Sequence, residues 1–347
     1  MNNSLSKKNR YFLDKFSQID KKNYSLFAQK NFGSSSYQFK KSYLDYLYSS
    51  SPYSNGYEDL TLIKQNSFPK LIVGCLHRIK VKLVHSSTGI IKEVSSLHNL
   101  MIDNDHYGCG YMLLSDALNK DPIFFVPGVE GELNKFYKRV AHFKVNASWF
   151  RKITFSNPIN TIKRLLKIPV SKKEIEKYKK NFRHNKLKFL LKSDSIFEDL
   201  IQKDFQKIDG FRVTEDFLKW RVFSAELAYV TRLVIHDGKS FIAITFGIRK
   251  NIPVCRIIYC SMNSQQSSDL LFSEACNLSK ALGFLVILHA SDCYFSKNSC
   301  AKQKFIQIKD SPNIYFCSKS KDNVHSSHWG LLGDYGFDEF SFSKNRL

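Results

Sequence analysis

The chain has 347 residues, too many for one compact core and enough for two domains of ordinary size. Hydrophobic residues make up 43% and aromatic residues 14%, which excludes a disordered chain. A net charge of +22 favours anionic partners, whether nucleic acid, an anionic membrane surface or a phosphate-rich small molecule, and does not choose among them.

Residues 1–38 are polar and basic and are expected to form a loose lead-in with no apolar stretch of the kind a signal peptide needs. Residues 38–48, QFKKSYLDYLY, have helical spacing, with Phe39, Tyr43, Leu44 and Leu47 on one side. A turn-rich loop, SSSPYSNGY, follows. From residue 59 the period changes. DLTLIKQ, KLIVGCLHRIKVKLV and IIKEVSSLHNLMI alternate or run apolar with β-branched residues, and turns separate them, which predicts an antiparallel meander. GYMLLSDALNK reads as a helix after a glycine turn, IFFVPG as a buried strand, EGELNKFYKRV as a second helix and HFKVNASWF as a further strand. Hairpin pairing followed by a helical crossover predicts a mixed sheet.

Residues 151–190 hold 13 Lys or Arg against two acids, Glu174 and Glu176, leaving +11. The plain reading is a solvated basic linker, and the sharper one is an arm for nucleic acid or another polyanion. From residue 195 helices (IFEDLIQKDFQKI, EDFLKWRVF) lead into hairpin strands with a turn at Asp237-Gly238. A helix ending in glycine, SSDLLFSEACNLSKALG, and a buried strand, FLVILHA, complete a plan that repeats the first half. The expected organisation is a lead-in (1–38), a first domain (39–155), a basic linker (156–194) and a second domain (195–347).

The eight cysteines, Cys75, Cys109, Cys255, Cys260, Cys276, Cys293, Cys300 and Cys317, form no CxxC pair, and several sit in apolar runs. Buried free thiols in a reducing compartment are expected, and the scattered histidines predict no metal site. The longest apolar runs fall short of a membrane span, so the chain reads as soluble and cytoplasmic.

The chemistry concentrates in residues 97–114, LHNLMIDNDHYGCGYMLL. A strand meets a loop with Gly108 and Gly110 and then a helix, an arrangement that brings backbone amides and the positive end of a helix to a phosphate. In the following helix Asn134 and Tyr137 are three apart on one face, and Phe143 enters the next strand. Together these segments resemble the acetyl-CoA-binding core of the GNAT superfamily, a strand, a Q/R-x-x-G-x-G/A loop and a helix, then a helix carrying Asn and Tyr. The resemblance implies an α/β (α+β) fold of two tandem GNAT-like domains, each a mixed, mainly antiparallel twisted sheet flanked by helices. It implies acetyl-CoA or another acyl-CoA as co-substrate, with the pyrophosphate over Asp105, His106, Tyr107, Gly108, Cys109, Gly110 and Tyr111. The pantetheine arm would pair with the backbone near Leu100 and Ile102, and Asn134 would hold it. Tyr137 would protonate the departing thiolate. The Q/R position is Asp105 here, and His106 stands beside it as a replacement cation.

In the second half FLKWRV (217–222) and SSHWGLLGDYGFDEF (326–340) resemble tandem GNAT acyltransferases of surface-polysaccharide clusters. Its strand-to-helix junction, YCSMNSQQSSDLL, lacks the GxG, so that half is expected not to bind CoA. Acyl transfer to an amine, that of an amino sugar or glycan precursor, also needs a base. His98 is the first candidate by pKa and Glu93 the second. The plain reading keeps His98 as a satisfied strand residue, Tyr137 as a packed helix residue and Trp220-Arg221 as a pin between a helix and a sheet. A nucleophilic pair of Cys109 and His106 is the other chemistry the loop could carry. Two other functions stay open, a tRNA-dependent aminoacyl transferase of the peptidoglycan type and a non-catalytic polyanion-binding protein.

Overall fold

The computed structural model describes residues 10–33, 40–121, 123–129, 131–140, 143–145, 148–180, 186–205, 211–224, 232–249, 251–291, 293–308 and 313–318. The N-terminal stretch departs from the expected lead-in. β1 (Tyr11–Lys15) and α1 (Lys21–Phe32) are ordered elements, and α1 buries Tyr24, Phe27 and Ala28. The alternation in YFLDK is enough for an edge strand once a partner is present, and β2 (Leu60–Gln65) supplies it, antiparallel from Tyr11↔Gln65 to Lys15↔Thr61.

α2 (Lys41–Leu44) runs into a π-helical turn, Asp45–Ser49, which buries Tyr46, Leu47 and Tyr48; Phe39 lies outside the described residues. The meander is completed by β3 (Phe68–His85) and β4 (Ile91–Ile102). Then come α3 (Cys109–Lys120), β5 (Ile123–Val129), α4 (Gly131–Val140) and β6 (Phe143–Val145). The stretch expected as one strand, HFKVNASWF, is divided between β6 and β7 (Ser148–Ile153).

The basic segment is not a linker. It forms α5 (Pro158–Leu165), α6 (Lys172–Lys180) and β8 (Lys188–Leu190). After it come α7 (Ser195–Phe205), β9 (Phe211–Val213), α8 (Glu215–Phe223), β10 (Arg232–His236), β11 (Phe241–Arg249) and β12 (Ile252–Ser261). α9 (Gln265–Ala281), β13 (Val286–Ser291), α10 (Tyr294–Lys302), β14 (Ile306–Gln307) and β15 (Asn313–Ser318) complete the chain; residues 326–340 lie outside the described residues.

Two sheets result. The first runs β1-β2-β3-β4-β5-β15-β6, with β9 pairing the far end of β3, and the second runs β14-β7-β13-β12-β11-β10-β8. Among the described residues each has one parallel pair, β4 with β5 and β12 with β13, and the other pairs are antiparallel. The two sheets exchange strands. β15, from the C-terminal end, lies between β5 and β6, while β7, from the first half, lies between β13 and β14. A boundary at residue 155 therefore follows neither sheet. The halves also share a core, in which Trp220 of α8 stacks on Tyr46 at 4.9 Å and donates to its backbone carbonyl at 3.2 Å. Arg232 of β10 donates to the Tyr46 hydroxyl at 3.1 Å. Trp220 thus pins a helix to the other half. Among the described residues no helix is long and apolar enough to cross a membrane.

α5 docks in an unusual way. Its inward face is polar: Asn160 donates to Ala281 O (2.7 Å), and Arg164, 0% exposed, donates to Leu282 O (3.0 Å), Ile168 O (2.6 Å) and Glu174 (2.5 Å). These groups satisfy carbonyls at the C-terminal end of α9 and place a cation at the negative end of that helix. α6 is tied to α9 by Tyr178, which donates to Glu274 Oε1 at 2.7 Å; burial pushes the Glu274 carboxyl up to about 7 from its usual 4.5. A raised carboxyl pKa means the folded state holds a proton that the unfolded state releases. Stability is therefore expected to fall as pH rises from about 4.5 to about 7 and to level off above that, and Glu274→Gln should remove this slope. Denaturant midpoints of the two proteins across that range measure the difference; parallel curves would refute it.

Candidate active site between β4 and β5

β4 and β5 are in register only at Ser95↔Phe124 and Ser96↔Phe125. From Leu97 on, the edge of β4 that faces β5 has no ladder partner among the described residues, and the two parallel strands part. A bulge accompanies the parting: β3 pairs Cys75 with Met101 and His77 with His98, so Asn99 and Leu100 together oppose Leu76, with Asn99 at φ 50. The open edge from Leu97 to Ile102 is about 20 Å long.

α3 begins where the open edge ends. Gly108 precedes it in the left-handed region at φ 85, the conformation that glycine adopts without strain. The Cys109 amide bonds back to His106 O (3.4 Å), and the His106 amide to Asp103 O (3.0 Å). The next two amides, of Gly110 and Tyr111, have no acceptor within the helix and point out of its N-terminus. At Gly110 a Cβ would meet only Ile102 Cγ1, at 3.6 Å. Tyr107 and Tyr111 stand out in solvent at 93% and 68% exposure, and Asp105 is exposed. Cations come from elements outside the loop. Arg10, at the start of β1, is near enough to Cys109 to pull its thiol down, against burial that pushes it up. Lys30 of α1 binds Asp103 (2.6 Å), and Tyr11 Oη lies 2.8 Å from His106 Nδ1. Net, the Cys109 thiol is raised, so the nucleophilic Cys109–His106 pair is not supported.

One cluster gathers four of the expected residues. Cys109 and Tyr137 are buried in it with Leu97, Leu113, Val126 and Tyr315, and Leu100 and Ile102 pack on it. α3 and α4 thus cover the same face of the opening. Asn134 accepts from Tyr315 Oη, and the Tyr137 ring stacks on Tyr315 at 5.8 Å; burial pushes the Tyr137 phenol well above its ordinary value. β15, from the far end of the chain, thus holds both helix residues in place. His98 lies on the opposite face, 5.4 Å from His77, whose ring nitrogens bond Tyr24 Oη (2.8 Å) and Tyr48 Oη (2.7 Å). Burial and the neighbouring His98 hold His77 well below its usual pKa. Asn99 donates to Tyr43 Oη (3.1 Å), while its buried Oδ1 finds no hydrogen-bond partner among the described residues.

Glu93 does not join them. It lies four residues before Leu97, roughly 13 Å along the strand, is largely exposed and pairs with Lys82 (3.4 Å). There it lines a separate cleft of ≈ 440 Å³ with Lys80, Lys120 and Tyr53. Glu93 thus stands apart from the opening, which begins further along β4 at Leu97. Residues that sequence reasoning missed are Arg10, His77 and Asn99. The first fell in the supposed lead-in; the other two carried no local signal beyond being polar in a strand.

Two parallel strands that part at a bulge in front of a helix, with a strand from the other half of the chain inserted beyond the second, occur in both sheets, and only the first has glycines at the helix start. This is the GNAT fold. Among solved structures, a GCN5-related N-acetyltransferase from Anabaena variabilis aligns over 88% of this chain and 72% of its own, with a TM-score of 0.54 and 13% identity. A Saccharomyces cerevisiae N-myristoyltransferase with bound myristoyl-CoA aligns over 89% and 82%, with a TM-score of 0.56 and 12% identity. A further structure of the yeast enzyme, with myristoyl-CoA and inhibitors, gives 89%, 80%, 0.55 and 13%. No protein-family model matches the sequence, and no match is found among curated proteins. Each GNAT alignment spans both halves. The second GNAT-like half has Ser264 as the cap of α9, its side chain accepting from Ser267 N, in place of glycines. Between Trp149, Ile257 and His289 only ≈ 10 Å³ is left, room for one water at most.

Proposed function

We propose that the chain is an acyltransferase that binds acyl-CoA in its first GNAT-like half and passes the acyl group to an amine. The observation that carries this reading is the parting of β4 and β5 in front of the α3 N-terminus. The open edge from Leu97 to Ile102 would pair with the pantetheine amides as an added strand would. The amides of Gly110 and Tyr111, with Arg10 and His106, would take the pyrophosphate, and Lys30 neutralises Asp103 beside them. The bound myristoyl-CoA of the yeast enzymes supports acyl-CoA as the co-substrate.

The amine would approach from the opposite face, where Asn99 Oδ1 can accept one of its N–H groups and His98 can take the proton as it attacks the thioester. Tyr137, kept protonated by burial, is the acid for the departing thiolate. For the acceptor we favour an amino sugar or glycan precursor, and we assign the second, glycine-free half a supporting role. The division into a catalytic first half and a degenerate second half belongs to this proposal.

Acetyl-CoA or a longer acyl-CoA is expected to raise the melting temperature, by about 2.7 kcal/mol of stability at a hundredfold excess over Kd. Gly110→Val should fold, since only Ile102 is near, yet lose that shift because its branches stand before the helix amides. Ser264→Val in the second half should keep it. Tyr137→Phe should also keep it while turnover drops by about 10²-fold. An absent shift at millimolar ligand, or equal effects at Gly110 and Ser264, would remove the reading.

A further inference from the structure

α5 turns its apolar side to solvent. Ile159, Ile162, Leu165 and Leu166 lie within about a third of a turn of one another on a helical projection, and they are 50–68% exposed. Phe155 just before the helix is almost fully exposed, and Ile168 just after it is exposed as well. A surface helix ordinarily does the reverse, with its apolar stripe on the core. Here the inward positions are taken by Asn160 and Arg164, which the carbonyls of Ala281 and Leu282 require. The apolar side is left over by that docking.

The surroundings are cationic. Lys163 follows Ile159 by four positions and so neighbours it on the helix. Lys167, Lys172, Lys173, Lys177 and Lys180 are exposed along the same segment, which carries +11 over residues 151–190. Exposed aliphatic side chains bordered by lysines suit one kind of surface. Nucleic acid would use the lysines but has no use for four aliphatic side chains, because single strands are gripped by stacking on aromatic rings. A second copy of the chain would bring its own lysines to the same place. A bilayer rich in anionic lipid takes both: the aliphatic groups enter the acyl boundary and the lysines meet the headgroups.

We propose that α5 and the basic stretch after it form a docking surface for an anionic lipid membrane, with α5 lying in the plane of the interface. This rests on how α5 packs and is independent of the acyl-transfer reading. The test is co-sedimentation of the full chain with vesicles of phosphatidylcholine alone or of phosphatidylcholine and phosphatidylglycerol in equal parts. Binding is expected to the mixed vesicles, to weaken with salt, and to be small on phosphatidylcholine. Ile162→Ser and Leu166→Ser should each lower the partition coefficient on the order of tenfold, and Lys167→Gln and Lys173→Gln about fivefold each. Ile162→Leu should preserve binding, and melting temperatures should stay unchanged throughout. No binding to the mixed vesicles would overturn the proposal. So would binding that survives both serine substitutions and is lost only with the lysines, which marks a general polyanion site. A concentration-dependent dimer that the serine substitutions dissociate, without vesicle binding, would assign the surface to a second copy and overturn it too.

Discussion

Replacing Gly283 with alanine is expected to cost roughly 2–5 kcal/mol of folding stability. Gly283 ends the turn after α9 at φ 89, where an L side chain is strained. Space is the larger problem. A Cβ there would stand 2.3 Å from Asn160 C and 2.5 Å from Thr161 N, both backbone atoms of α5, so no side-chain rotation can relieve the clash. Either α5 moves away or the turn reshapes. If α5 moves, Arg164 loses its bonds to Leu282 O and Glu174 and becomes a buried cation without its partners, which is itself strongly destabilising. The measurement is the denaturant midpoint and slope of Gly283→Ala beside Gly89→Ala. Gly89 is also at positive φ, but a Cβ there meets nothing within 4 Å. Equal losses at the two glycines would mean that backbone conformation alone matters and that α5 is not packed as described.

Cutting the chain after residue 312 should prevent cooperative folding, although it removes only the C-terminal tenth of the sequence. β15 is an interior strand of the first sheet, paired on one side with β5 from Ser318↔Ile123 to Asn313↔Val129 and on the other with β6. Tyr315, Phe316 and Cys317 are buried, and Phe316 packs against Phe125 at 5.0 Å. Loss of a single buried aromatic side chain typically costs ~3–5 kcal/mol, and whole domains are stable by only ~5–15 kcal/mol. The cut would also open the ladders of β5 and β6 and release Asn134 and Tyr137 from Tyr315. A chain cut after residue 320 keeps β15 and is the control. Thermal unfolding followed by circular dichroism distinguishes them: the longer chain should keep a cooperative transition, and the shorter should show no sharp transition. If both melt alike, β15 does not hold the first sheet together.

The same strand shows where sequence reasoning stops. NIYFCS reads locally as a short apolar strand wherever it sits, and period-two alternation says which face is buried without naming the neighbour. The exchange of β15 and β7 between sheets is therefore invisible to local pattern. It is decided by which gap each strand fills when the two halves pack over the shared core around Tyr46 and Trp220. The expected lead-in failed for a related reason. β1 is a five-residue edge strand whose residues are only partly buried, so its sequence carries a weak apolar signal until β2 is beside it.

By itself the sequence determined the periodic parts: the β2–β4 meander, α3 after its glycine turn, the Asp237-Gly238 hairpin, the long helix α9 and the mixed two-sheet class. Those features depend on contacts within one element or between consecutive ones, and residue type and spacing encode such contacts directly. In the candidate site the same holds for the loop and helix start from Asp105 to Tyr111. Only the tertiary structure decided that Tyr315 braces Asn134 and Tyr137, that Arg10 comes near Cys109 and Lys30 pairs with Asp103, that Glu93 stands apart and that α5 turns its isoleucines outward. On a helical wheel α5 predicts its apolar side inward. The carbonyls at the end of α9 needed Asn160 and Arg164 more, because a buried carbonyl without a donor costs more than an aliphatic side chain left in water.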